Sequence, residues 1–100
     1  MRLGQKRASV FAQREVQITN KLGLHARPAA EFVKRVRSFR SEIWVVKEGK
    51  RYSASSLIDT LRANLDYGAS ATLEARGVDA EEALRDLEEL LAEFHKTEVE

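Results

Sequence analysis

The spacing of apolar residues changes repeatedly along this chain, and the order of those changes limits the folds it can adopt. Apolar and polar residues alternate, as in strands with one buried face, in REVQITN, SEIWVVK, the end of KEGKRYSA and ASATLEA. Three other segments place apolar residues three and four positions apart, as helices with one buried face do. The order is strand, helix, strand, strand, helix, strand, helix, which predicts an α+β fold with helices on one side of an antiparallel sheet.

Three of the four predicted strands have an apolar face. In the second strand Trp44 and Val46 form a second apolar face, so we expect them on a partly open side of the sheet, as ordinary cover. A turn at Glu48 and Gly49 should lead from this strand into the third. The residues that share a buried strand face are Val16 with Ile18, Ile43 with Val45, and Ala71 with Leu73 and Ala75.

The three helical segments differ in how clearly they are marked. The third is the clearest, because its apolar stripe runs from Ala80 to Phe94 and follows Asp79 and Glu82, a capping-box pair. The apolar positions of the other two are Ala29, Ala30, Val33 and Val36 in the first, which follows Leu24, and Leu57, Leu61 and Leu65 in the second.

One small domain accounts for most of the chain, because 100 residues can build a single modest core. We assign residues 15–96 to the domain, residues 1–14 to a basic arm that we expect to be disordered, and residues 97–100 to a tail. No apolar run approaches the roughly 20 residues of a membrane span, and the first residues lack a signal-peptide pattern. We therefore expect a cytoplasmic protein.

Composition excludes several kinds of chemistry. The chain has no cysteine, and its two histidines are far apart in the sequence, so we expect no disulfide and no metal site. The net charge is +1, but bases concentrate in residues 25–40 and acids in residues 79–100. A basic helix can bind nucleic acid. A solvated helix face, however, is the commoner meaning of such a cluster of bases.

The segment NKLGLHARPAA, residues 20–30, carries most of the functional information. Gly23 allows a tight turn out of the first strand, and His25 falls at the start of the first helix. Pro28 is acceptable in a first helical turn, where backbone N–H groups have no partner inside the helix. These N–H groups, including that of Ala26, and the positive end of the helix dipole attract anions. The guanidinium of Arg27 could bind such an anion with two hydrogen bonds.

His25 has several interpretations when only the residues are considered. A neutral imidazole at this place has a nucleophilic nitrogen and could accept a group covalently. The ring could equally be an exposed cap residue, or it could help to bind phosphate without transfer. It could also act as a general base, although no serine or aspartate is arranged beside it in the sequence.

The run GLHARPAAEFVKRV closely resembles the phosphorylation site of the HPr family, the histidine-containing phosphocarriers of the bacterial phosphoenolpyruvate-dependent phosphotransferase system. The resemblance extends from about Glu15 to Phe94. It implies a two-layer open-faced sandwich, with a four-stranded antiparallel sheet in the order 1-4-2-3 and three helices on one face. It further implies that Nδ1 of His25 is the phospho-acceptor and that Arg27 stabilises the phosphate, with no metal and no other cofactor.

The resemblance also implies partners and a docking surface. Enzyme I, charged by phosphoenolpyruvate, would phosphorylate His25, which would pass the group to an Enzyme IIA-type protein in sugar uptake. We expect the carrier to be a monomer. Because Leu57 and Ile58 are successive residues of one short helix, at least one of them should be exposed. The expected docking surface comprises Ala26, Ala30, Leu57, Ile58 and Leu61, with Arg27 and Lys34 as basic neighbours.

Ser56 is a candidate regulatory site. In carriers of Gram-positive type, a serine that opens the second helix is phosphorylated by a dedicated serine kinase, and Ser56 stands at that position. Ser56 followed by Asp59 is also a good N-cap pair, which is reason enough for a serine here. Ser55 and Asp59 depart from the residues expected around the kinase target.

Three functions remain open at this point. The chain could be a phosphoryl carrier, a regulatory module of the same fold, or, more remotely, a nucleic-acid binder through its basic first helix. The run VQITNKLGLHARPA is at least as close to NPr, the nitrogen-related branch of the family. A histidine at the helix start favours the carrier over family members that have lost it and only regulate.

Overall fold

A computed structural model describes residues 10–97, and its elements follow the predicted order. All strand pairs are antiparallel, and the sheet order is β1-β4-β2-β3, so the predicted α+β fold and sheet order are confirmed. No helix in residues 10–97 is long and apolar enough to cross a bilayer. The strands are Val10–Gln17 (β1), Glu42–Lys47 (β2), Lys50–Ser53 (β3) and Ser70–Gly77 (β4), and the helices are Ala26–Arg37 (α1), Leu57–Arg62 (α2) and Ala80–Thr97 (α3).

β1 begins earlier than the sequence indicated. It starts at Val10, inside the segment assigned to the basic arm, and pairs with β4 along its full length. Ala12 is buried and Val10 packs against the core, which explains why residues 10–14 belong to the sheet. The remaining parts of the predicted arm and tail, residues 1–9 and 98–100, lie outside the described residues.

The core lies between one face of the sheet and the helices. Ile43, Val45 and Leu73 point into it from the strands, as predicted, and the apolar stripe of α3 covers them. On the other face, Trp44 is half-buried beneath the guanidinium of Arg51, which lies 3.9 Å from the ring centroid. The expected partly open face of the sheet is therefore present.

The buried face of α1 differs from the prediction at one position. Ala30 is exposed, whereas Phe32 is fully buried. Side chains three and four residues apart share a helix face, so Phe32 lies on the same face as the buried Ala29, Val33 and Val36, and Ala30 does not. The buried face of α1 therefore includes Phe32 in place of Ala30.

α2 is shorter than its leucine spacing suggested. It ends at Arg62, and Asn64, with a φ of 51°, turns the chain away from the helix axis. Leu65 is buried, but it enters the core from the following loop. The ammonium of Lys47 donates hydrogen bonds to the carbonyls of Ala63 (3.1 Å) and Asn64 (2.6 Å), just past the end of the helix.

α1 and α2 pack side by side and run in opposite directions. At the start of α1, the Leu24 N–H donates to the Leu65 carbonyl, which follows α2, at 2.8 Å. At the other end, Nε of Arg37 donates to the Ser55 carbonyl, which precedes α2, also at 2.8 Å. His25 and Ser56 therefore lie toward opposite ends of the helix pair.

The turn before α3 is fixed to the turn before β2 by Asp79. Its carboxylate, predicted to form a capping box with Glu82, accepts hydrogen bonds from the backbone N–H groups of Arg40 (2.9 Å) and Ser41 (3.0 Å) and from the Ser41 hydroxyl. Burial alone would raise the pKa of Asp79, but these hydrogen bonds outweigh it and hold the pKa below its usual value.

Candidate functional site

The turn between β1 and α1 sets the position of His25. The Gly23 N–H donates to the Asn20 carbonyl at 3.0 Å, and the buried Asn20 side chain donates from Nδ2 to the Gly23 carbonyl at 2.6 Å. Gly23 has a φ of 69°, and a Cβ at this position would lie 2.9 Å from the Leu65 carbonyl oxygen. The tight turn predicted at Gly23 is confirmed, and it requires glycine both for its backbone conformation and for lack of space.

The same turn is held by the loop that follows α2. Besides the bond from Leu24 to Leu65, the Ile18 N–H donates to the Ala69 carbonyl at 2.9 Å, and the Gly68 N–H donates to the Ile18 carbonyl at 2.8 Å. These bonds join segments that are distant in the sequence. They fix the backbone just before His25 against the body of the domain.

His25 is the N-cap residue of α1, as predicted, with extended backbone angles (φ −78°, ψ −170°). Its carbonyl accepts the Ala29 N–H at 2.8 Å, but its side chain makes no capping hydrogen bond. The ring is exposed, and within residues 10–97 it has no hydrogen-bond partner. The imidazole is therefore open to a reactant from solution.

Two features that attract anions lie next to His25. The N–H groups of Ala26 and Arg27 have no acceptor within the helix, and the first turn of α1 contains no acidic side chain. The exposed Arg27 guanidinium forms no ion pair among the described residues, whereas that of Arg35 pairs with Asp86 at 2.8 Å. The start of α1 can thus bind a phosphate through amides, dipole and guanidinium together.

The structure places the predicted docking residues on exposed parts of α1 and α2. Ile58 is 64% exposed and Leu61 36%, while Leu57 is half-buried against the core, which confirms that one of Leu57 and Ile58 is exposed. On α1, exposed residues recur every fourth position at Ala26, Ala30 and Lys34. The two sets belong to neighbouring helices that pack against each other.

Ser56 is the N-cap residue of α2. Its hydroxyl oxygen accepts the backbone N–H of Asp59 at 3.1 Å. This bond is the capping interaction that the sequence predicted, and it accounts for a serine at this position. Phosphorylation of Ser56 stays a prediction.

Sequence reasoning missed two exposed apolar residues beside the site. Leu22 is 62% exposed and Tyr67 is 64% exposed, and they lie on the two hydrogen-bonded loops described above. Each stands immediately before a glycine with positive φ, Gly23 or Gly68. Large apolar residues inside such turns are the signal that could have drawn attention to them, because turns usually carry polar residues.

No group of three or more side chains able to hold a metal ion occurs within the described part of the chain. His95, the second histidine, lies near the end of α3. Its Nδ1 is 3.2 Å from the Thr19 carbonyl oxygen. His95 thus has a structural contact, in contrast to His25.

Comparisons with known proteins agree with this geometry. The family model described as the PTS HPr component phosphorylation site matches residues 12–93. Phosphocarrier protein HPr of Vibrio cholerae is 40% identical over 83 residues, which cover 83% of this chain and 98% of the relative. The HPr-like protein Crh of Bacillus subtilis is 38% identical over 77 residues, 77% of this chain and 91% of the relative. A crystal structure of HPr-C-His from Thermoanaerobacter tengcongensis has a TM-score of 0.83 at 38% identity, covering 88% of this chain and 99% of that one.

Proposed function

The chain belongs to the HPr family of the phosphotransferase system, and we propose that it is a phosphocarrier whose His25 accepts a phosphoryl group from phosphorylated Enzyme I. In this proposal the group then passes to an Enzyme IIA-type protein in the cytoplasm, in sugar uptake. The observation that carries the proposal is the exposed imidazole of His25, which has no capping bond and lies beside Arg27 at the start of α1.

The reaction is a direct transfer between two proteins. The unprotonated Nδ1 of His25 attacks phosphorus, its lone pair forms the new N–P bond, and the bonding pair of the old linkage returns to the donor atom of Enzyme I. The product ring is protonated at Nε2, so it is a good leaving group, and the N–P bond keeps its transfer potential for the next partner.

The start of α1 suits a phosphate that must be held and then released. The amides of Ala26 and Arg27, the helix dipole and the Arg27 guanidinium all stabilise the added negative charge. Exposure of His25 allows each partner to bring its reacting atom into line with the N–P bond, which a closed pocket would prevent. The carrier therefore needs no cavity of its own.

Partner docking is assigned to the exposed surface of α1 and α2. Ile58 and Leu61, with part of Leu57, supply apolar area that a partner can bury. Arg27 and Lys34 supply positive charge that would attract an acidic partner surface and increase the rate of encounter.

The test is to incubate the purified protein with phosphoenolpyruvate and Enzyme I and to map the label. We expect acid-labile, base-stable phosphate on His25, and no uptake by His25→Ala. His95→Ala is the matched control, because it removes the other histidine and should leave uptake unchanged. Normal uptake of acid-labile phosphate by His25→Ala would refute the assignment.

A regulatory module is the second candidate function. The observations that favour it are the similarity to Crh and the place of Ser56 at the start of α2, where a serine kinase or phosphorylase would act. A protein of the NPr branch would also be a regulatory module in this sense. The distinguishing measurement is whether phosphorylated His25 delivers its phosphate to an Enzyme IIA or only alters the binding of a partner.

The nucleic-acid alternative is the least favoured by the contacts of α1. Arg35 is paired with Asp86, and Arg37 donates to the Ser55 carbonyl. Two of the basic side chains on this helix are therefore engaged within the domain and are not arranged for phosphate contacts along a duplex.

A further inference from the structure

Asn20 is a polar side chain buried in the turn that precedes the phosphorylation site. It is 2% exposed, whereas Thr19 and Lys21 on either side of it are exposed. Its carbonyl accepts the Gly23 N–H, which closes a β-turn, and its Nδ2 donates to the Gly23 carbonyl. Asp, Asn and Ser are all common at the first position of β-turns, so the turn by itself does not require a buried amide.

The side chain of Asn20 holds one side of the peptide group that joins Gly23 to Leu24. On the other side of this peptide, the Leu24 N–H donates to the Leu65 carbonyl at 2.8 Å. Both polar groups of the peptide therefore have partners, one within the turn and one in the loop after α2. Because a peptide group is planar, bonds to its two opposite edges restrict its rotation. The backbone plane is thus fixed one residue before His25.

The imidazole of His25 depends on this backbone for its position. Its side chain makes no capping hydrogen bond, so no such bond within α1 holds the ring in place. Leu24, which connects the fixed peptide to His25, is itself buried and cannot move to correct an error in the plane. Transfer requires the attacking nitrogen in line with phosphorus and the leaving atom, and a misplacement of about 1 Å can cost about 100-fold in rate.

We propose that Asn20 is a positioning residue for phosphoryl transfer, because its bond to the Gly23 carbonyl fixes the backbone that carries the His25 imidazole. This inference rests on the proposed phosphocarrier function. Asn20 is covered by the domain itself, so it acts on the chemical step and not on partner docking. The role requires a donor at this position. An ionised aspartate has nearly the same size as asparagine but only accepts hydrogen bonds.

The experiment compares Asn20→Ala and Asn20→Asp with Ser41→Ala. Ser41 is the matched control because it is also buried in a turn, where its hydroxyl donates to Asp79, and it lies beyond the end of α1 that is far from His25. Charging by phosphorylated Enzyme I gives kcat and KM, and calorimetry gives the affinity for unphosphorylated Enzyme I. Rates are measured at a temperature at which melting curves show the variants to be folded. Asn20→Asp keeps the side-chain volume, so it provides the test if Asn20→Ala does not fold.

We expect kcat to fall about tenfold for Asn20→Ala, with KM within about twofold of the wild type. The loss should be larger for Asn20→Asp, since its carboxylate would face the Gly23 carbonyl oxygen and place a negative charge beside the incoming phosphoryl group. The calorimetric affinity should stay at the wild-type value in both variants. Ser41→Ala should also melt at a lower temperature, because it loses a buried hydrogen bond, but it should keep the wild-type kcat.

The outcomes separate positioning from general stability and from the function on which it rests. Variants of Asn20 that keep the kcat of Ser41→Ala overturn the positioning role and leave the carrier function standing. A loss confined to KM and calorimetric affinity also overturns it, because the defect would then lie in docking. Wild-type protein that takes no phosphate from Enzyme I overturns both proposals.

Discussion

The three helices of this domain begin in different ways. α2 begins at Ser56, whose hydroxyl accepts a backbone N–H of the first turn, and α3 carries Glu81 and Glu82 in its first turn. α1 begins at His25, which makes no side-chain capping bond, and no acid follows in its first turn. An N-cap bond typically stabilises a protein by about 1 kcal/mol. The start of α1 thus lacks an ordinary stabilising contact, and its amides and dipole remain available to a ligand.

Replacing His25 by serine would remove this difference between α1 and α2, with the largest functional effect. The extended backbone of His25 suits an N-cap, so His25→Ser should raise the free energy of unfolding by about 0.5–1 kcal/mol while abolishing phosphate uptake. Denaturant unfolding and the Enzyme I assay measure the two effects. His25→Ala, which adds no cap, should lose uptake without gaining stability. A less stable His25→Ser would show that the imidazole already supports the helix.

At the start of α3 the expected effect is on stability and not on transfer. Asn in place of Asp79 loses one acceptor and turns an amide donor toward the N–H groups of Arg40 and Ser41, so Asp79→Asn should cost about 1–2 kcal/mol at pH 7. Phosphate uptake at this pH should be unchanged.

The effect of Asp79 should also depend on pH. Because the folded-state pKa is held below the unfolded value of about 3.9, the contribution is complete above that value and is lost as the pH falls through the folded-state pKa. The stability difference between wild type and Asp79→Asn should shrink as the pH falls below about 4. A difference that stays constant down to pH ~2 would argue against an ionised, hydrogen-bonded Asp79.

Arg27 tests the start of α1 without removing the nucleophile. Arg27→Lys keeps the charge but loses the forked geometry, so we expect transfer to slow about tenfold, equivalent to about 1.4 kcal/mol. The melting temperature should move little, because the guanidinium has no ion pair among the described residues and surface changes usually cost within about 0.5 kcal/mol. Wild-type transfer kinetics in Arg27→Ala would exclude this role.

Ser56 should have the smallest effect on phosphate transfer, because it lies toward the end of α1 that is far from His25. Ser56→Ala should cost about 1 kcal/mol of stability, and Ser56→Asp should keep the cap. The negative charge beside Leu57 and Ile58 should nevertheless slow charging by Enzyme I, since it opposes docking of an acidic partner; a true phosphate should act in the same direction more strongly. Equal charging rates in the two variants would leave Ser56 as a helix cap only, and an unfolded Ser56→Asp would attribute any loss to structure.

Elements with strong local patterns could be predicted from the sequence, and elements decided by distant contacts could not. β2, β4 and α3 follow from periodicity, since their buried faces are uninterrupted. The early start of β1 depends on its pairing with β4, and residues 12–15, AQRE, have no strand pattern that would predict it. The end of α2 depends on the positive φ of Asn64 and on the hydrogen bonds donated by Lys47. Lys47 belongs to β2, which is separate from α2 in the sequence.

The residues of the candidate site also differ in whether the sequence alone could predict them. His25 and Arg27 could be located because a helix start, a proline and a glycine mark the place in a single short run. The bracing of Gly23 by Leu65 could not, because those residues meet only when α2 and its loop fold back onto α1. Tyr67 was missed for the same reason, since only the folded chain brings it close to His25.

The opposite directions of α1 and α2 determine how two phosphates would interact. The ends of α1 are about 18 Å apart, and Ser56 lies toward the end far from His25, whereas charges in physiological salt are largely screened beyond about 8 Å. A phosphate on one residue would therefore barely oppose a phosphate on the other. The domain would have four accessible states of modification, and only a partner whose footprint spans the length of α1 could distinguish all of them.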